Sequence, residues 1–323
     1  MLQRGVSEIL GSIYEQDFLD NSYGYRPGTG AQNAVRDLSR NLQFGSYGWV
    51  VEADIKGFFD NIDHEWMMRM LEERVDDKTF LRLIRKWLKA GILETDGQVL
   101  QPETGTPQGG IVSPVLANIY LHYALDLRFE KVVKPRCRGK AFIIRYADDF
   151  VCAFQYYSDA EKFYSVLGSR LEKFGLELAE DKTRLFPFSR FKVKRGERFC
   201  FLGLEFCWGT SRKGKPLVCR RTSRKKLRAA LADFTFWIKN HRSRRLKNIF
   251  RTLASKYRGH WNYYGVYGNF ESLRSYFRQT KMILYKWLNC RSQRKNYSWQ
   301  GFNDLLKQMS LPSPRITEKR VPN

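Results

Sequence analysis

Three aspartates stand where carboxylates are least welcome. Asp148 and Asp149 lie between two apolar runs in "FIIRYADDFVCAF" (142–154), and Asp54 stands one residue before the end of "GWVVEADI" (48–55). Apolar flanks imply burial, and at an effective dielectric near 20 two like charges about 4 Å apart repel by roughly 4 kcal/mol. Hard divalent cations, Mg²⁺ or Mn²⁺, take oxygen ligands of this type and would cancel the repulsion. Two such ions, about 4 Å apart, can activate an attacking hydroxyl and steady a leaving pyrophosphate in phosphoryl transfer. Taken singly, an Asp-Asp pair is more often a solvated turn, and Asp54 could simply cap the next helix. It is their combination that points to a metal site.

The elements that would position them can be read around them. "GWVVEADI" is a short β-branched run behind Gly48 and reads as a buried strand. After it, Asp63 is a candidate N-cap for a helix in which Trp66, Met67, Met70 and Leu71 have helical spacing. A second helix, "KTFLRLIRKWLKAG", ends at Gly91. "PETGTPQGGIVSPVLANIYLHYALDLRFE" (102–130) is a Gly/Pro-rich turn followed by a long apolar helix from about Ser113. Then come a strand–turn–strand around Asp148 and Asp149, an amphipathic helix "SDAEKFYSVLGSRLEKFG", and "LELAEDKTRLFPF", a short strand pair or turn. This order suits an α+β fold, a split βαβ plan with an antiparallel sheet and helices on one face. In such a sheet the end of the first strand and the tip of the central hairpin are neighbours, so the three carboxylates meet at one edge. "RFCFLGLEFCW" (198–208) reads as a hairpin strand, and beyond a linker turn "SRKGKP" (211–216) the pattern is all helix, over 222–240, 243–260, 270–290 and 298–309.

Composition narrows the setting. A chain of 323 residues with 43% hydrophobic and 15% aromatic content folds into more than one domain. No apolar run approaches the roughly 18 residues of a membrane span. The six cysteines form no CxxC pair and read as free thiols in a reducing, cytoplasmic setting. The net charge of +24 is uneven: residues 190–323 hold 33 Lys/Arg against 6 Asp/Glu, whereas residues 1–189 hold 24 against 27. Such asymmetry is an electrostatic footprint for a polyanion.

Six ordered motifs then resemble one family. "SYGYRPGTGAQNA", "DIKGFFDNIDHE", "GTPQGGIVSPVLANIYL", "YADD", "GLELAEDKTRLF" and "FLGLEF" look like the blocks of a reverse transcriptase of the type encoded by bacterial group II introns. "LASKYRGHWNYYGV" resembles the maturase, or thumb, domain of the same proteins. The resemblance covers roughly residues 14–315. It implies a remnant fingers segment over 1–47, a palm over 48–210 and a helical thumb over 217–315. It implies that Asp54 and Asp148 bind two Mg²⁺ (or Mn²⁺) ions, with the Ile55 carbonyl as a further ligand and Asp149 completing the cluster. Phe59 would lie under the incoming sugar and reject a 2′-hydroxyl, although Phe58 or Phe59 could equally be core. Gln108 and Gly109 would line the nucleotide site, unless their loop only leads into a helix. Lys182 would protonate or neutralise the departing pyrophosphate, with a salt bridge to Glu180 or Asp181 as the alternative. Arg26 would reach phosphates, or else serve the fold.

Arg220, Arg221, Arg224, Lys225, Lys226, Arg244, Arg245 and Lys247 are the candidate RNA contacts, phosphate-seeking and without a base-specific code. Trp237, Trp261 and Trp287 read as core. The partners implied are intron RNA, an RNA template with a DNA primer, and deoxynucleoside triphosphates. The family carries a fingers region ahead of the "SYGYRPG" block, which this chain reaches by residue 22, so the elements that clamp the triphosphate are expected to be missing. The four histidines form no nuclease cluster, and endonuclease activity is not expected. Three readings follow: an RNA-directed DNA polymerase, an RNA-binding maturase, and a domesticated or defence-associated reverse transcriptase.

Overall fold

The computed structural model describes residues 2–89, 92–93, 99–100, 104–105, 110–191, 197–291 and 296–319. The chain forms two compact units, Met1–Glu197 and Arg198–Asn323.

The first unit is built on a four-stranded antiparallel sheet. Its strands are β1 (Trp49–Ala53), β2 (Ala141–Tyr146), β3 (Asp149–Phe154) and β4 (Arg184–Pro187), in the order β2–β3–β1–β4. β1 and β3 are central. Val50 and Val51 point to opposite faces and both are fully buried, so β1 is covered on each side, where the sequence alone put helices on one. This explains why both strands read as continuous apolar runs rather than as alternating ones. Among the described residues six helices accompany the sheet: α1 (Leu2–Tyr14), α2 (Ala31–Phe44), α3 (His64–Glu72), α4 (Lys78–Lys89), α5 (Ser113–Leu121) and α6 (Tyr157–Glu172). α5 continues through two π-helical turns, His122–Asp126 and Phe129–Val133, to Arg136.

Local chemistry fixes the segment that carries Asp54. A strand of two residues, Ile55–Lys56, pairs with Glu177–Leu178, and the chain then turns at Gly57, whose φ of +54° is a left-handed conformation. A single 3₁₀ turn, Phe58–Asp60, leads to α3, where Asp63 is the N-cap: its Oδ1 accepts from the Trp66 amide at 2.8 Å. Met67, Met70 and Leu71 face the core as the spacing predicts. Gly91, expected to end α4, lies outside the described residues.

The second unit joins a three-stranded antiparallel sheet to four helices. The strands are β5 (Arg198–Phe201), β6 (Leu204–Thr210) and β7 (Pro216–Thr222), and the helices α7 (Arg224–His241), α8 (Leu246–Tyr264), α9 (Phe270–Asn289) and α10 (Trp299–Gln308). β5 and β6 turn through Leu202 and Gly203, both with positive φ, as two-residue hairpins require. Two expectations are corrected here. By compactness the 198–208 hairpin groups with the helical unit, whereas the sequence placed it at the end of the palm. And "SRKGKP" is a hairpin turn rather than a linker, because "PLVCRRT" pairs residue for residue with β6. The consecutive arginines hid that strand, yet Val218, Arg220 and Thr222 alternate inward as strand residues do. The four helices fall close to their expected bounds around a core of Tyr257, Trp261, Leu273, Leu284 and Phe302. Trp261 is core, as expected, while Trp237 and Trp287 are only partly buried against it.

Candidate active site at the palm sheet edge

Strand register brings the aspartates together. β1 and β3 pair up to Ala53 opposite Phe150, so one step further Asp54 falls level with Asp149. β2 and β3 close at Tyr146 opposite Asp149, leaving Ala147 and Asp148 as the two-residue turn, with Ala147 at φ +55°. All three carboxylates thus occupy one end of the sheet.

Asp148 shows the electrostatic stress most clearly. Burial pushes its carboxyl above the ordinary aspartate value and the Asp54 charge pushes the same way, while its own backbone amide, Arg145 and Lys182 pull it back. Asp54 carries a partner: Lys182 Nζ lies 2.6 Å from Asp54 Oδ2. The hydrogen bond and charge of Asp54 raise the Lys182 ammonium above its usual value. Lys182 arrives there because the chain after Glu177–Leu178 is docked on the same segment, with the Ala179 amide donating to the Asp54 carbonyl at 2.9 Å. Its partner is therefore neither Glu180 nor Asp181, the alternatives open in the sequence.

The donor set suits a hard cation. Among the described residues no three carboxylate, imidazole or thiol groups converge tightly enough to cage an ion. Two carboxylates in charge contact, however, are what Mg²⁺ uses when it keeps water and takes the rest of its shell from substrate phosphates. The Asp148 carboxyl is raised first by burial and further by the Asp54 charge, and a cation bound between the two would relieve the second of these.

Other predicted residues fall out differently. Phe58 is buried core, while Phe59, in edge contact with it at 5.3 Å, is half-exposed next to the Asp54 turn. Gln108 and Gly109 lie outside the described residues. The start of their loop is anchored beside that turn: the Gly105 amide donates to the Ile62 carbonyl at 2.7 Å, and the Gly105 carbonyl lies 2.7 Å from His64 Nε2. Gly105 has φ +92°, and a Cβ there would sit 2.8 Å from the Asp60 carbonyl oxygen, so only glycine fits. Arg26 is corrected. Its buried guanidinium is fully engaged by Glu15 and by the carbonyls of Leu19 and Ser22, which makes it a brace for its own loop.

Arg220 is likewise corrected as an RNA contact, because both its terminal nitrogens pair with the buried Glu318 at 2.8 and 3.0 Å. Arg221, Arg224, Lys225, Lys226, Arg244, Arg245 and Lys247 are exposed and suit phosphate contact.

Sequence reasoning missed the support behind the hairpin. Arg145 is fully buried and bonds Asp126, Asn118, Ser22 and the Ala147 carbonyl. Gly24 approaches so closely that a Cβ would lie 2.4 Å from the Ala147 nitrogen. Tyr25 follows at φ +57°; its hydroxyl is pushed up first by burial and then by the Asp148 charge. The signal was present: a lone arginine in an apolar strand must find buried partners.

An antiparallel sheet with carboxylates at the end of one strand and in the adjoining hairpin turn has the form of a polymerase palm. The family model of reverse transcriptases (RNA-dependent DNA polymerases) matches residues 1–206, and the chain belongs to that family. It is 48% identical over 122 residues to the group II intron-encoded protein LtrA of Lactococcus lactis subsp. cremoris, a match covering 38% of this chain and 20% of that protein. It is 28% identical over 270 residues to protein YkfC of Escherichia coli K12, covering 73% of this chain and 68% of that one. The match thus spans about a fifth of the length of the intron-encoded relative. A solved telomerase from Candida albicans, bound to a fragment of telomeric RNA, aligns over 94% of this chain and 53% of that one with TM-score 0.51 and 14% identity, a likeness of fold.

Proposed function

We propose that the chain is an RNA-directed DNA polymerase that extends a primer with deoxynucleoside triphosphates. The observation that carries this reading is the register that sets Asp54 level with the Asp148–Asp149 turn. Asp54, Asp148 and the Ile55 carbonyl would hold two Mg²⁺ ions, with Asp149 adding negative charge beside them. Bound there, the ions would supply Lewis acidity for the attacking hydroxyl and the leaving group. The protein's own groups do the rest. Phe59, half-exposed beside the turn, would pack under the sugar and exclude a 2′-hydroxyl. Lys182, displaced from Asp54, would present its ammonium to the departing pyrophosphate and give it a proton. Gln108 and Gly109 would border the base and sugar.

The test is primer extension on an oligo(dT)-primed poly(rA) template. Asp148→Ala with Asp149→Ala should abolish it, and retention of activity would refute the assignment. A second role, binding and folding intron RNA, is supported by the second unit's 29 Lys/Arg against 5 Asp/Glu. Under this reading RNA binding and splicing help survive loss of the carboxylates. The six free cysteines suit a cytoplasmic setting.

A further inference from the structure

We propose that Arg145, held by Asp126 and Asn118, is the positioning residue that sets the Asp148 turn for catalysis; this rests on the polymerase reading above. Arg145 is the penultimate residue of β2, three residues before Asp148, and is wholly inside the protein. Its guanidinium is used in three directions. Nε and Nη2 grip the equally buried Asp126, the closest contact being 2.6 Å. Nη1 donates to the Ala147 carbonyl and to Asn118 Oδ1, both at 3.0 Å, and Nη2 also donates to Ser22 Oγ at 2.7 Å. The Asn118 amide in turn donates to the Gly24 carbonyl at 2.6 Å. The backbone repeats the link: Arg145 receives from Tyr23 at 2.9 Å and donates to Asn21 at 2.8 Å.

One planar group therefore joins three segments that sequence marks separately. These are the 22–30 loop, α5 with its continuation to Asp126, and the turn carrying Asp148. A rigid fork can hold all of them at once; a lysine ammonium, a point charge on a flexible stem, cannot. A solely structural ion pair would need only Asp126. The contact to Ala147, inside the catalytic turn, is what a positioning role adds.

The experiment uses the full chain with poly(rA), oligo(dT) and dTTP, and compares Arg145→Lys, Asn118→Ala and Asp148→Ala with the unaltered protein. Each is measured for kcat, KM for dTTP, RNA affinity, melting temperature, and Fe²⁺-directed hydroxyl-radical cleavage of the chain beside residue 148. Arg145→Lys should lower kcat about 100-fold, the order expected of a misplaced reacting group. Its KM for dTTP and its RNA affinity should hold, while cleavage at 148 weakens. Unchanged kcat and cleavage in a folded Arg145→Lys protein would overturn the proposal. Should that variant unfold, Asn118→Ala decides, since it keeps the Arg145–Asp126 pair. There about a tenfold loss of kcat is expected, and no loss overturns the idea. If the unaltered chain extends no primer, the polymerase reading fails, while the cleavage pattern still judges Arg145.

A different observation carries a second inference: we infer that Cys207 and Cys219 form a reversible disulfide under peroxide. They are opposite one another on β6 and β7, at a separation that neighbouring strands and disulfides share. The neighbouring Cys207 thiol and the Arg221 charge together pull the Cys219 thiol down to about 6, which favours its thiolate. The Cys219 thiolate attacks one peroxide oxygen, the O–O bond breaks, and the released hydroxide leaves as water once protonated. The Cys207 sulfur then displaces the hydroxyl of the resulting sulfenic acid as a second water, so two thiols are oxidised and one peroxide is reduced. Peptide mapping of the peroxide-treated chain should give a Cys207–Cys219 cross-link that dithiothreitol reverses and Cys207→Ser prevents. Oxidation at Cys200 or Cys290 with this pair still reduced would overturn it.

Discussion

The two units handle charge in opposite ways. In Met1–Glu197 the formal charges balance, 28 basic against 28 acidic residues, and the decisive ones are paired in fixed geometry: Arg145 with Asp126, Arg26 with Glu15, Lys182 with Asp54. In Arg198–Asn323 the balance is +24, the interior is aromatic, and most lysines and arginines are exposed. Arg220 with Glu318 is the buried pair there. Under the proposed function the difference separates two tasks. A site that moves a phosphoryl group needs charges held to a fraction of an ångström. A surface that captures a polyanion needs only their density.

The largest test of this contrast is the loss of one carboxylate. Asp148→Asn should lower primer extension by about 10³-fold, on the scale of removing a group that stabilises a transition state. RNA affinity, measured by filter binding, should stay within error, and parallel loss of both would mean the division of labour is wrong. Next is Glu318→Gln, which leaves the Arg220 charge buried and uncompensated. Urea unfolding should show a loss of about 3 kcal/mol, whereas Arg221→Gln, on the exposed side of the same strand, should leave stability unchanged. RNA binding supplies the third test. Replacing Arg224, Lys225 and Lys226 with Ala should flatten the slope of log affinity against log salt by roughly 2, because each lost phosphate contact removes about 0.7 on a single strand. An unaltered slope would move the RNA surface elsewhere.

The smallest effect is one of pH. His260 is packed on the Tyr276 ring at 3.9 Å, and burial lowers it from 6.5 to about 4. A depressed value means the folded state prefers the neutral ring. Its stabilising share is therefore complete above pH 6.5 and is lost as pH falls towards 4. Denaturation midpoints at pH 7 and pH 5 should differ more for the unaltered chain than for His260→Phe. Equal differences would mean that other groups govern acid sensitivity.

Much of this was legible in sequence, for physical reasons that differ by residue. Continuous apolar runs identified β1 and β3 because both faces are covered, and Asp63 announced a helix start by its type and spacing. Asp54, Asp148 and Asp149 stood out because charge inside an apolar run demands explanation. What the sequence hid were pairings between distant residues. Arg26 and Arg220 looked like phosphate ligands because nothing local reveals Glu15, 11 positions away, or Glu318, 98 positions away. Lys182 reaches Asp54 across 128 positions for the same reason. Arg145 belongs with them, because its partners Asp126 and Ser22 lie 19 and 123 positions away.

The ammonium lying against Asp54 has a practical corollary. It acts as an internal counter-ion, so the apo form carries no bare charge at that position that could loosen the sheet edge. The protein should tolerate purification in chelator with its melting curve intact and recover full turnover on simple addition of magnesium, without refolding.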